Sequence, residues 1–388
     1  MKIVTCIAPV NIAVIKYWGK RDNELILPIN DSISSTLDTN QMCAKTTIMA
    51  SPNFTENKIW LNGKEENFDG ARLQSCLKEI KKRVHEDRKE GDVIDWNIHI
   101  CSENNFPTAA GLASSAAGYA CLVFALAKLY DVDGDISGLA RRGSGSACRS
   151  VYGGWVKWSK GTRSDGLDSL AVQLAPASHW PNMRIIILVV NESRKKHGST
   201  DAMKRSIATS TLLNTRAETI VPKRISDMES AIDSKNFSKF AEITMRDSNQ
   251  FHAICLDTYP PCAYLNNVSH AIIEFVHAYN EFKGSTQVAY TYDAGPNACL
   301  YVLENNVSEV ISIINEIFPA NISEEYIKGI PVDGCTLNEE VLQTFCGMKH
   351  PPGLLKYIIV TKVGNGPKVL SNYSEHLLDD NGLPKSLT

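Results

Sequence analysis

The stretch Pro107-Thr-Ala-Ala-Gly-Leu-Ala-Ser-Ser-Ala116 decides how the rest of the chain is read. Its small residues run directly into the apolar segment Ala116–Ala127. A helix is therefore expected from near Ser114 to about Tyr130, with Asp131 and Gly134 marking its exit. Small side chains let a polyanion approach the main chain, and a helix N-terminus offers unpaired N–H groups and a favourable dipole. Ser114 and Ser115 add hydroxyls that could touch a phosphate or a Mg²⁺ ion. By physics alone, serines that simply cap the helix fit the same residues. The other common phosphate loops are excluded. Gly19-Lys20 is followed by Arg21 and Gly63-Lys64 by Glu65, so no G-x-x-x-x-G-K-S/T occurs, and no G-x-G-x-x-G is complete.

Upstream, Ile3–Ala8 reads as a strand stopped by Pro9, and Trp96, Ile98 and Ile100 alternate as in a half-buried strand. Leu73, Leu77, Ile80 and Val84 recur at helical spacing, which predicts an amphipathic helix over Ala71–His85. Downstream, Ala175–Asn182 holds Pro176, Ser178 and Pro181 and reads as a boundary between domains 1–182 and 183–388. Met183–Val190 is an apolar, β-branched run suited to a strand buried on both faces. Helical patterns follow at Thr200–Ala217, Lys223–Asp233 and Phe237–Phe251. Gln287–Tyr292 and Ala298–Leu303 read as strands joined by the turn Asp293-Ala-Gly-Pro-Asn297, and Lys356–Val363 as a late strand ending at Gly364. Strands and helices mix without strict βαβ alternation, so the expected class is α+β in two lobes.

Composition narrows the function classes. The chain has 388 residues, 43% hydrophobic and 21% charged, with a net charge of −3. No basic excess points to nucleic acid or a membrane surface. The 11 cysteines are odd in number, include no C-x-x-C, and lie in apolar stretches, as reduced thiols of a cytoplasmic protein would. The nine histidines form no H-x-x-x-H pair, so no histidine metal site is expected. Met1–Ile7 lacks a long apolar core, and Ala116–Ala127 is shorter than the roughly 20 residues a spanning helix needs.

Three further stretches hold groups that could bind or act on an anion. In Asn11–Lys20, Lys16 and Lys20 could face one anion, walled by Tyr17 and Trp18; a strand end with solvated lysines is the plainer reading. In Ala140–Ser150, Ser144 and Ser146 alternate with glycine and alanine before Arg149, whose planar fork suits a carboxylate; a flexible loop with a surface arginine is the plainer reading of those residues. In Tyr290–Ala298, Asp293 stands at a strand end before Gly295-Pro296, where aspartate most often only forms the turn.

Taken together, these stretches resemble a known family. Pro107–Ala116 resembles the phosphate loop of the GHMP kinase superfamily. Its setting, Asn104–Gly118, and the three stretches above are similar to the mevalonate diphosphate decarboxylase family, its animal members most of all, from about Val4 to Lys385. The resemblance implies a ribosomal-protein-S5-like N-terminal lobe and a ferredoxin-like C-terminal lobe. It implies ATP and Mg²⁺, the substrate mevalonate 5-diphosphate, and a homodimer. It places catalysis on Asp293, on Arg149 gripping the substrate carboxylate, and on Lys16. It places substrate binding on Asn11, Tyr17, Trp18, Gly19, Lys20, Arg72, Ser144, Gly145, Ser146, Ala147, Cys148, Arg149 and Ser199. It places ATP on Ala109, Ala110, Gly111, Leu112, Ala113, Ser114 and Ser115. Ser193–Thr200 matches a basic, hydroxyl-rich loop near the phosphates, while Met245–His252 is expected to be structural. Ser34–Leu37 and Asn191–Ser193 depart locally, with neither expected to touch catalytic residues, and 320–353 matches least. A small-molecule kinase that stops after phosphoryl transfer, or a ligand sensor on the same fold, would share the phosphate loop.

Overall fold

A computed structural model describes residues 1–86, 92–106, 114–190, 198–321 and 326–385. A six-stranded sheet has the order Lys368–Leu370, Lys2–Pro9, Cys43–Ser51, Asn97–Asn104, Lys58–Leu61, Lys64–Glu66. The helix Ser114–Leu129 packs on its Lys2–Pro9 and Cys43–Ser51 strands. That helix is alanine-rich and buried almost all round, through Ala117, Ala120, Cys121, Ala125 and Leu126, as expected of a helix enclosed by other elements. The helix Ala71–Glu86 instead buries one stripe, Leu73, Cys76, Leu77, Ile80 and Val84, and leaves its charged face in solvent. Each such side chain removed from water contributes roughly 1.5–3 kcal/mol, so the stripe suffices to dock the helix.

Asn11–Ile15 leaves the first sheet and enters a four-stranded antiparallel one, in the order Ala171–Ala175, Trp155–Trp158, Ser32–Thr36, Asn11–Ile15. Beyond it stands a five-stranded sheet, in the order Val288–Tyr292, Ala298–Leu303, Met183–Val189, Tyr357–Lys362, Ile327–Gly329. Its central strand is inaccessible from Ile185 to Val189. The continuous apolar run thus marks burial on both faces, although both neighbours are antiparallel.

The proposed boundary falls just before that central strand. The chain does not stay in the second lobe to its end, since Lys368–Leu370 joins the edge of the first sheet beside Lys2–Pro9. The segment after it then covers that sheet's outer face. Thr5 Oγ1 and His376 Nδ1 share a hydrogen bond of 2.6 Å, Lys45 pairs with Glu375, and Leu378 packs on Met49, Trp60 and Cys101.

One expected helix needs correction. Thr200–Ala217 is not continuous: Ser199–Thr209 ends at Ser210, whose backbone is extended. The Ser210 hydroxyl accepts the Leu213 N–H and donates to Asp257 Oδ2 at 2.6 Å, which starts a new helix at a new angle. Thr211–Thr215 then runs through a wide, π-type turn at Arg216–Ile220 into Val221–Asp233.

Candidate active site

Where Asn11–Ile15 ends, Lys16 leaves the sheet and meets the second lobe. Its ammonium lies 2.6 Å from Asp293 Oδ1, with the lysine side chain 3% and the aspartate 26% exposed. Asp293 follows Val288–Tyr292, and the turn is closed by its main chain, since its carbonyl accepts the Gly295 N–H at 2.7 Å. Its carboxylate is left free to face Lys16. A turn-former or a solvated lysine would show neither feature.

This pair opens into a cleft between the lobes. Asn11, Lys16, Tyr17, Trp18, Lys20, Arg72, Ser115, Ser144, Gly145, Ser146, Arg149, Ser199 and Asp293 all line it. Residues far apart in sequence therefore converge on one wall.

Arg149 is a built-in part of the fold. It is 2% exposed, and burial pushes its guanidinium below the ordinary arginine range. Nε donates to Asn11 Oδ1 at 3.2 Å and Ser34 Oγ at 3.0 Å, and Nη1 donates to Ser32 Oγ at 2.6 Å. The Trp158 ring lies 5.6 Å from its Cζ. Among the described residues Nη2 makes no hydrogen bond, which leaves one edge of the fork for a ligand. Asn11 is itself held, donating to Ser150 Oγ and the Ser146 carbonyl. Ser34 belongs to a stretch expected to stay clear of catalytic residues; its hydroxyl touches Arg149 instead. Alternation along Ser32–Thr36 puts Ser32 and Ser34 on one face, and this period was the available signal.

The aromatic pair is fixed rather than loose. Trp18 Nε1 donates to Ser206 Oγ at 2.9 Å, and its ring packs edge-on against Phe251 at 4.8 Å. Tyr17 packs edge-on against Trp158, and its buried hydroxyl has no partner among the described residues. Gly145 is required here, because an added Cβ would lie 2.9 Å from the Tyr17 hydroxyl oxygen. Gly19 does not line the cleft. At φ +100° it turns the chain so that Lys20 returns to it.

Lys20 is 8% exposed and makes no ion pair among the described residues. Burial, then Arg72 and Lys204, hold its ammonium below the ordinary 10.5. Among the described residues Arg72 donates only to Thr200 Oγ1, at 2.9 Å. Ser199 opens the helix Ser199–Thr209 on the same wall. Two cations and a helix N-terminus thus face one corner, an arrangement that favours a polyanion. Thr200, Met203 and Phe251 line the cleft too, although they were not among the expected binding residues.

Ala147 and Cys148 lie behind the wall, both inaccessible. Cys148 packs with Val156, Trp158 and Ala171, and burial pushes its thiol up to about 12, so it offers neither a contact nor a nucleophile. Ala109, Ala110, Gly111, Leu112 and Ala113 lie outside the described residues, as does Ser193–His197. Ser114 faces a second groove, lined by Ile59, Leu61, Leu73, Ile100, Tyr119 and Leu122. Ser115 lines both this groove and the cleft, and its hydroxyl is 3.4 Å from Ser144 Oγ.

Met245–His252 supplies a further link. Asp247 is inaccessible and paired with Arg216 and Arg224, and its Oδ2 accepts the Lys16 main-chain N–H at 2.8 Å.

Oxygen donors, ammonium and guanidinium groups make up the cleft's polar lining. Among the described residues no group of three or more His, Cys, Asp or Glu could hold a metal ion. Such a lining fits Mg²⁺ carried in on a nucleotide better than a resident ion. Among the described residues, no helix is long and apolar enough to cross a membrane.

Comparison with known proteins shows the family. Residues 8–171 match the diphosphomevalonate decarboxylase-like N-terminal domain, and residues 185–370 match the mevalonate 5-diphosphate decarboxylase C-terminal domain. The diphosphomevalonate decarboxylase of Bos taurus is 53% identical, over 99% of this chain and 97% of its own. The solved mevalonate diphosphate decarboxylase from Trypanosoma brucei superposes with a TM-score of 0.87 at 37% identity, covering 97% of this chain and 100% of that one. The structure of MDDEF in complex with MVAPP, AMPPCP and magnesium matches with a TM-score of 0.73 at 29% identity, covering 96% of this chain and 100% of that one. This chain belongs to the mevalonate 5-diphosphate decarboxylase family.

Proposed function

We propose that this chain converts mevalonate 5-diphosphate and ATP to isopentenyl diphosphate, ADP, phosphate and CO₂. The observation that carries the reading is one cleft holding the Lys16–Asp293 pair, the open edge of Arg149 and the cation Lys20. A phosphoryl acceptor, a carboxylate and a diphosphate each have a complementary group there.

The substrate's tertiary hydroxyl at C3 is a poor leaving group until it is phosphorylated. Asp293 accepts its proton or aligns its oxygen on the γ-phosphorus, and Lys16 holds Asp293 in place. The second groove takes the nucleoside, so that the phosphates run past Ser114 toward Ser115, together with Ala109–Ala113. Mg²⁺, arriving on the nucleotide beside Ser115, would neutralise phosphate charge. Lys20, Arg72, Thr200 and the N-terminus at Ser199 hold the substrate diphosphate; Tyr17 and Trp18 wall it. The C3–O bond then breaks with its electron pair leaving on phosphate. The C1–C2 pair forms the C2–C3 double bond as CO₂ departs. Arg149, fixed by Asn11, Ser32 and Ser34, keeps the carboxylate in line for that departure. Asp293 then faces the electron-poor carbon and stabilises it.

We also propose that residues 1–182 and 183–388 act as two domains, the first binding nucleotide and the second supplying Asp293, and that the chain is a cytoplasmic homodimer. Eleven unpaired thiols support a reducing compartment. Exposed Ile207, Leu212, Leu256 and Tyr259, gathered around the Ser210–Asp257 hydrogen bond, support an association surface, which sedimentation tests.

The test is a coupled assay of ADP and CO₂ with mevalonate 5-diphosphate and ATP. The expected result is equal release of both. Asp293→Ala is expected to lower both by about 10³-fold, and Arg149→Ala to lower CO₂ release sharply. ADP release without CO₂ would make the chain a kinase, and nucleotide binding without either product a sensor.

A further inference from the structure

We infer that Asp247 and Ser248, adjacent on one helix, and Arg216, which grips Asp247, are positioning residues that set the Lys16–Asp293 pair. The inference rests on the role given to that pair above. Lys16 lies past the end of its strand, so its main-chain N–H and C=O have no ladder partners while being buried. Asp247 Oδ2 accepts the N–H at 2.8 Å, and Arg216 Nη2 donates to the C=O at 3.1 Å. Arg216 also grips both Asp247 oxygens, Nη1 to Oδ1 at 2.7 Å and Nη2 to Oδ2 at 2.9 Å. The result is a closed ring through the Lys16 peptide groups. Asn30 Nδ2 adds a second donor to the same carbonyl.

The next residue along the helix holds the other partner. Ser248 Oγ accepts the Tyr292 N–H at 3.1 Å, and Tyr292 immediately precedes Asp293. The helix Phe237–Asp257 packs on both Asn11–Ile15 and Val288–Tyr292. Two adjacent side chains on that helix therefore fix the two main chains whose side chains meet at 2.6 Å.

Stability is a poor explanation for this cluster. Arg216 and Asp247 are both inaccessible, and desolvating such a pair cancels most of its Coulomb gain. Burial would raise the Asp247 carboxyl, but Arg216, the Lys16 N–H and Arg224 outweigh it and keep the group charged. What the charges supply is direction: lysine in place of Arg216 could not bridge both carboxylate oxygens and the carbonyl at once. Arg216 also sits in the π-type turn, a geometry frequent at functional sites.

The test is a cycle of Arg216→Lys, Lys16→Met and the double variant, read by single-turnover rates, steady-state KM and thermal unfolding. The expected result for Arg216→Lys is a rate about 10- to 100-fold lower with KM within about twofold, since a shift of about 1 Å can cost that much. In the Lys16→Met background the same change should cost less than about threefold, because the group it positions is gone. Should Arg216→Lys fail to fold, Ser248→Ala takes its place in a cycle with Asp293→Asn, the residue whose main chain Ser248 holds. An equal loss in both backgrounds, or a change confined to KM, would overturn the inference. Because the cycle can be read on ADP release alone, a wild-type protein that yields no CO₂ sinks the decarboxylase reading without deciding this one.

Discussion

Lys20 is the cation in the cleft whose charge is most easily removed. It is nearly buried, and its neighbours Arg72 and Lys204 are cations, so its ammonium loses its proton below the usual lysine range. The sign of the consequence is fixed. Below that depressed pKa Lys20 is charged and attracts a diphosphate; above it the attraction is lost. The expected outcome is that kcat/KM for mevalonate 5-diphosphate falls with rising pH, and does so earlier than an ordinary lysine would dictate. In Lys20→Arg, whose charge persists, the fall should move to higher pH. Coincident profiles for the two proteins would remove Lys20 from the substrate. Residue types in this corner were legible from Lys16–Lys20, but their states were not. The depressed proton affinity comes from burial, then from Arg72 and Lys204, all of which act on Lys20 only through the fold. Arg149 is similar: the sequence offers an arginine, while its three hydroxyl and amide partners come from Asn11, Ser32 and Ser34, more than a hundred residues upstream.

At the scale of an element, the helix Ser114–Leu129 was the most legible part of the chain. An unbroken small and apolar run admits a buried helix and little else, and its end at Leu129 falls next to the expected one at Tyr130. The split at Ser210 was illegible for the opposite reason. The helical period continues across it, and the break depends on the bond to Asp257, 47 residues away. Fold also separates two serines that look equivalent in sequence. Ser114 faces only the apolar groove, whereas Ser115 stands where groove and cleft meet, beside Ser144. Ser115→Ala is therefore expected to lower kcat by about 10-fold or more, at the strength of a charge-assisted hydrogen bond of roughly 1.5–3 kcal/mol. Ser114→Ala should change kcat less and act on the KM for ATP. Initial rates with each substrate varied separately decide this, and equal kcat losses would place the transferred phosphate between the two hydroxyls.

Across the whole molecule, the two lobes are held in register by contacts at the cleft's back. Tyr301 of the second lobe shares a hydrogen bond with Ser35 and reaches the Ile12 carbonyl, and Thr291 reaches that of Ala13. The return of Lys368–Leu370 to the first sheet gave no sequence signal, because so short and exposed a strand carries no apolar pattern. His252 sits in this shared interior, 7% exposed, with Nε2 unpartnered among the described residues. Burial, then the charge of Lys16, push its pKa down to about 3. An unfolded histidine takes up its proton near 6.5, whereas the folded one does not until about 3. Stability contributed by the neutral ring is therefore full above about 6.5 and is lost progressively as pH falls toward 3. One proton corresponds to a slope of about 1.4 kcal/mol per pH unit. In His252→Gln, which cannot titrate, urea unfolding across this window should show a shallower loss, by about one proton, than in the unmutated chain. Equal slopes would mean that His252 charges in the folded state, and that the interior behind Lys16 and Asp293 admits a second cation.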